Sequence, residues 1–120
     1  MRDPKRVAIL ISGRGSNMRA LVERAEGYEV ALVASNKPDA PGLSWASERG
    51  LQTWSLESKG IAKEAYDHQL STTLEEHGIG TIALAGFMRI LSPWFVERWR
   101  GHIVNIHPSL LPKYRGLGTH

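Results

Sequence analysis

Asn105 and His107 stand two residues apart in Ile103-Val104-Asn105-Ile106-His107-Pro108, an apolar run that a proline ends. Alternate residues of a strand share a face, so a carboxamide and an imidazole would be presented side by side at a strand end. Such a pair can donate to a developing oxyanion and move a proton near neutral pH. Taken alone, the pair also admits a plainer account, in which Asn105 closes a hydrogen-bond ladder and His107 is a satisfied turn residue.

A second candidate lies near the other end of the chain, in Ser12-Gly13-Arg14-Gly15-Ser16-Asn17. A glycine-rich turn between a strand and a helix offers bare backbone N–H groups and a helix N-terminus, a setting that favours an anion. Gly15, Ser16 and Asn17 are the donors best placed for it. Met18 stands where the dinucleotide fingerprint has its third glycine, and Ser35-Asn36-Lys37 offers no acid for a ribose, so no nicotinamide cofactor is expected. No Gly-Lys-Ser/Thr follows, which argues against a nucleoside triphosphatase. A single phosphate monoester is the ligand class that fits, and glycines that only make a tight turn are the alternative.

Both candidates need a frame that delivers loops to one edge. Arg6 to Ile11 is rich in Val and Ile and predicts a strand, and Met18, Leu21, Val22 and Ala25 mark a helix after the glycine turn. Tyr28 to Ser35 predicts a second strand, Leu43 to Arg49 a short helix and Leu51 to Leu56 a third strand, with Gly27 and Gly50 where helix ends want glycine. Ile61, Ala65, Leu70 and Leu74 mark the longest helix, from Ile61 to His77, which Gly78 stops. Gly80 to Ala85 predicts a buried strand, Ser92-Pro93 an N-cap and first helical residue, and Ile103 to His107 the last strand. Strands alternating with helices imply a parallel sheet with right-handed crossovers, an open doubly wound α/β domain of Rossmann-like type. Gly118-Thr119-His120 resembles a loop delivering an N-cap to a helix, so the domain is expected to be truncated at its C-terminus.

Composition bounds the rest. The 120 residues, 42% hydrophobic, suffice for one globular domain. The chain has no cysteine, which excludes disulfides and thiolate metal sites, and its apolar runs are too short to span a membrane. A soluble, cytoplasmic protein without membrane partners is expected. The net charge is +3, but Lys and Arg are interspersed with Asp and Glu, a pattern that argues against nucleic acid and suits a small anionic substrate. Trp45, Trp54, Trp94 and Trp99 do not alternate with basic clusters and are assigned to packing. His68, His77, His102 and His120 show no metal-ligand spacing with one another or with His107, so no metal is expected.

Three segments together, Ile11-Ser12-Gly13-Arg14-Gly15-Ser16-Asn17, Ala85-Gly86-Phe87-Met88-Arg89-Ile90-Leu91-Ser92 and Asn105-Ile106-His107-Pro108-Ser109-Leu110-Leu111-Pro112, resemble the phosphoribosylglycinamide formyltransferases of purine biosynthesis. The His-Pro-Ser-Leu-Leu-Pro element is shared among folate-dependent formyltransferases and hydrolases, and the other two segments narrow the match. The resemblance implies that residues 1–120 are the N-terminal phosphate- and folate-binding part of a formyltransferase domain. It implies that Gly15, Ser16 and Asn17 hold the phosphate of glycinamide ribonucleotide. It implies that Met88, Arg89, Ile90 and Leu91 line the pocket of the co-substrate 10-formyltetrahydrofolate, with Lys63 where the family often has an arginine and Asn105 also in contact. Asn105 and His107 match the catalytic pair. The substrate amine would attack the formyl carbon, Asn105 and His107 would stabilise the oxyanion, and His107 would assist proton transfer. Pro108 would bias His107 to an extended backbone, and Leu111-Pro112 is a candidate cis bond.

The resemblance also implies an aspartate that orients the histidine. It would lie beyond residue 120, since Asp3, Asp39 and Asp67 stand in no matching place. The chain alone is therefore expected to be inactive or nearly so, and prone to self-association or to pairing with a complementary C-terminal half. The alternatives are another folate-dependent formyltransferase, such as a methionyl-tRNA formyltransferase, a formyltetrahydrofolate hydrolase, or a non-catalytic ligand-binding α/β domain.

Overall fold

Five parallel strands in the order β3-β2-β1-β4-β5 form one twisted layer, which the computed structural model describes within residues 2–106. The chain runs β1 (Asp3–Ile11), α1 (Ser16–Glu23), β2 (Glu29–Ser35), α2 (Pro41–Glu48), β3 (Thr53–Ser55), α3 (Lys63–Glu76), β4 (Ile79–Leu84), α4 (Pro93–Arg98) and β5 (Ile103–Asn105). All four pairings are parallel.

The central strands are apolar on both faces because both faces are covered. On one face Val7, Ile9 and Ile11 of β1 pack with Met18 of α1 and with Leu43 and Ala46 of α2. On the other, Ala8 and Leu10 pack with Leu70 and Leu74 of α3, with Phe95 of α4 and with its C-cap Trp99. Helices on both faces of an open parallel sheet are the doubly wound architecture that the alternation of elements predicted.

Strand order reverses between β1 and β4, so the loops that follow these two strands diverge from one crevice at the carboxyl edge. Backbone pairing sets the level of that edge. Leu10 pairs with Leu84, and Leu84 with Asn105, so one row of residues crosses β1, β4 and β5. Ala85 N donates to Leu10 O and Ile106 N to Leu84 O, both at 2.9 Å, and lock the row.

Several boundaries differ from those the sequence predicts. Strand β1 begins at Asp3, three residues earlier than the apolar run, because Asp3 pairs with Ile79 and Thr81 Oγ1 donates to Pro4 O. These exposed residues carry no apolar pattern. Helix α1 ends at Glu23, so Ala25 is exposed outside it and Gly27, with φ of 83°, belongs to the turn before β2. Gly50 follows the C-cap Arg49 of α2, as expected. The predicted α3 face is also corrected. Ala65 is exposed, and the buried stripe is Tyr66, Asp67, Leu70, Ser71 and Leu74. Two polar side chains in that stripe hid it from a count of apolar positions.

Candidate active site

The glycine segment leaves β1 at the switch point. Gly15 adopts φ of 74° and caps α1 with its main chain, and among the described residues no side chain caps that helix. The first-turn N–H groups of Ser16 and Asn17 thus receive no side-chain cap. A side chain at Gly15 would be strained by its φ and would bring a Cβ within 2.7 Å of Met18 Cε.

A second glycine, which the sequence did not single out, supports this loop from outside. Gly42, at the start of α2, donates its N–H to Gly13 O at 3.1 Å. A Cβ there would meet Ile11 Cδ1 at 2.5 Å and Arg14 O at 2.9 Å, so only glycine allows α2 to approach so closely. Its neighbour Pro41 starts α2, and that helix-start signal was the one available hint.

The segment after β4 leaves the same edge of the sheet. Met88 and Ile90 turn outward, 80% and 76% exposed, while Leu91 packs against the core. Arg89 stands between these two outward side chains and points the other way. Its guanidinium is turned into the protein, where it pairs with Asp67 Oδ1 and donates to Lys63 O at 3.2 Å. It also lies 4.1 Å from the Tyr66 ring centroid, and its side chain is only 11% exposed. The reason is Asp67, whose carboxylate is fully buried and needs paired donors. Its second oxygen accepts Ser92 N at 2.7 Å. Arg89 thus contributes a main-chain position, not a free cation, to the crevice. Lys63, exposed and first in α3, is tied to the same segment through its carbonyl.

Tyr66 completes the support. Its hydroxyl donates to Leu56 O at 2.6 Å, and burial pushes its pKa up to about 12 despite the opposing pull of Arg89. Ser92 caps α4 by accepting Phe95 N at 3.2 Å, as Ser92-Pro93 predicts.

Ser12 joins the loops. Its hydroxyl donates to Asn36 Oδ1 at 2.7 Å and accepts Met88 N at 2.8 Å. One side chain therefore connects the loops after β1, β2 and β4. Beside Asn36, residues Lys37, Pro38, Asp39, Glu57, Ser58 and Lys59 help to enclose a cavity of about 370 Å³ at the ends of β2 and β3. Neither the donors of the glycine loop nor residues 88–91 line it.

Asn105 ends β5, exposed, in the row it shares with Leu84 and Leu10. Gly15, Ser16 and Asn17 thus follow β1, Met88 and Ile90 follow β4, and Asn105 ends β5, at the carboxyl ends of three neighbouring strands. His107, Pro108 and Leu111-Pro112 lie outside the described residues. Of the other histidines, His68 stacks on Trp94, and the Nδ1 atoms of His77 and His102 pair with Thr73 O and Gly80 O. Among the described residues no helix is long and apolar enough to cross a membrane, and no group of three or more His, Asp or Glu is placed to hold a metal.

The chain is 44% identical to the Escherichia coli phosphoribosylglycinamide formyltransferase, over 95% of its own length and 56% of that enzyme. It is 50% identical to the trifunctional purine biosynthetic protein adenosine-3 of Drosophila melanogaster, over 94% of its own length and 9% of that protein. The crystal structure of phosphoribosylglycinamide formyltransferase from Brucella melitensis superposes with a TM-score of 0.82 at 40% identity, covering 98% of this chain and 62% of that one. The chain spans about half the length of the bacterial enzymes it matches. The sequence pattern of the formyl transferase family matches residues 5–120, which include the glycine loop, the segment after β4 and Asn105 at the end of β5, and the chain belongs to that family.

Proposed function

We propose that this chain carries the phosphate and formyl-donor surfaces of a phosphoribosylglycinamide formyltransferase. The reaction is transfer of a formyl group from 10-formyltetrahydrofolate to the amine of glycinamide ribonucleotide in purine biosynthesis. The observation that carries this reading is the placement of three segments at the carboxyl ends of the neighbouring strands β1, β4 and β5, a glycine loop, a pair of exposed apolar side chains and a carboxamide. An acyl transfer between a phosphorylated amine and a flat heterocycle needs these three kinds of surface in one crevice.

Each residue has a part in this reading. The N–H groups of Gly15, Ser16 and Asn17 hold the substrate phosphate and fix the reach of its amine. Outward-facing Met88 and Ile90, with the main chain from Arg89 to Leu91, fit the flat heterocycle of the co-substrate, which supplies the activated formyl group when bound. Lys63 offers the nearby cation for an acidic end of that donor. The Asn105 amide donates to the oxyanion that develops on the formyl oxygen, and His107 moves the proton lost by the attacking amine.

The test is the absorbance change of 10-formyltetrahydrofolate conversion with glycinamide ribonucleotide. It is run on this chain and on the chain completed with the C-terminal part of the E. coli relative. Turnover is expected in the completed chain, and Asn105→Ala is expected to lower kcat on the order of a hundredfold. No turnover in either form, or full activity in both Asn105→Ala and His107→Ala, would overturn the reading.

A further inference from the structure

Ser12 belongs to the glycine segment by sequence, but its hydroxyl makes no bond within that segment. It accepts Met88 N from the loop after β4 and donates to Asn36 Oδ1 after β2. The other described anchors of the donor ledge lie beyond Met88, where Asp67 holds Arg89 and Ser92 N, Lys63 O accepts from Arg89 and Leu91 packs against the core. At Met88, the residue most exposed on the ledge, the described hydrogen bonds of the main-chain N–H lead to Ser12 alone. The glycine loop has anchors of its own, in the left-handed Gly15 and in the bond from Gly42 N to Gly13 O.

From this asymmetry we infer that Ser12 is a positioning residue for the formyl donor, not for the phosphate substrate whose loop contains it. The inference rests on the proposed formyl transfer for its consequence, but the hydrogen bond it names is a property of the fold. Losing the hydroxyl frees the Met88 end of the ledge and leaves the phosphate donors in place. One neutral hydrogen bond corresponds to roughly a threefold to tenfold change in an equilibrium constant.

Two measurements on Ser12→Ala and Ser12→Thr test it. In this chain, hydrogen exchange at the Met88 amide is expected to speed up in Ser12→Ala and to return toward the parent rate in Ser12→Thr, which keeps the hydroxyl. In the completed enzyme, Ser12→Ala is expected to raise KM for 10-formyltetrahydrofolate roughly threefold to tenfold while KM for glycinamide ribonucleotide stays within about twofold. Unchanged exchange at Met88, equal rises in both KM values, or a rise confined to glycinamide ribonucleotide would each overturn the assignment. Absence of turnover in the completed parent would count against formyl transfer instead, and the exchange result would still decide whether Ser12 holds the ledge.

Discussion

Asp67 shows how much one residue can depend on neighbours that its sequence position does not announce. In a helix rich in charge it looks like a solvated carboxylate, but it is fully buried and bonded to Arg89 and Ser92 N from beyond β4. Breaking one side of a buried pair leaves an uncompensated charge, so Asp67→Ala is expected to destabilise the fold by about 3–5 kcal/mol in urea unfolding. The double variant Asp67→Leu with Arg89→Met removes both charges and is expected to lie much closer to the parent. A double variant as unstable as Asp67→Ala would refute the pairing account. Serine at position 92 was legible beforehand because a cap acts on its own helix, whereas the partner of Asp67 lies 22 residues away.

Among the elements, the glycine turn could be read from a local run of residues, and its conformation agrees with that reading at Gly15. What could not be read is the element that presses on it. Gly42 is required by the closeness of α2 to the β1 loop, a relation between segments that no single-segment pattern encodes. Gly42→Ala is expected to cost about 1–3 kcal/mol by overpacking and to weaken inorganic phosphate binding in an NMR titration. Gly50→Ala is the control, because its Cβ would meet nothing within 4 Å. It should lose stability through its positive φ alone and leave the phosphate titration unchanged. Equal titration curves for Gly42→Ala and the parent would separate α2 from the anion site. The exposed beginning of β1 and the shortened α1 were missed for a similar reason, since pairing partners and turn geometry, not apolar periodicity, set those ends.

For the whole molecule, alternation of elements disclosed the class of fold but not the order of its strands. The order β3-β2-β1-β4-β5 makes the crevice, because it sends the loops after β1 and β4 away from each other. A ligand that binds only the folded crevice must raise the stability of the entire domain. Inorganic phosphate is therefore expected to raise Tm at constant ionic strength, with a stabilisation of about 2.7 kcal/mol at a hundred times its Kd. A chloride series that raises Tm equally would reduce the effect to general screening. Asn105 and the glycine segment could each be singled out from local residues, but the neighbouring strand ends that carry them could not, since β1 and β5 are separated by most of the chain.

The row Leu10, Leu84 and Asn105 has a further consequence. Main-chain ladders fix how far the Asn105 amide stands beyond the sheet, and the bonds from Ile82 N to His102 O and from Ile106 N to Leu84 O hold β5 at that pitch. A slip of one residue would move the amide by about 3.3 Å and turn it through the sheet. The chain therefore works as a ruler whose graduations are peptide units. Side chains at a given mark can be exchanged, and reaction chemistry altered, without changing the distances between marks.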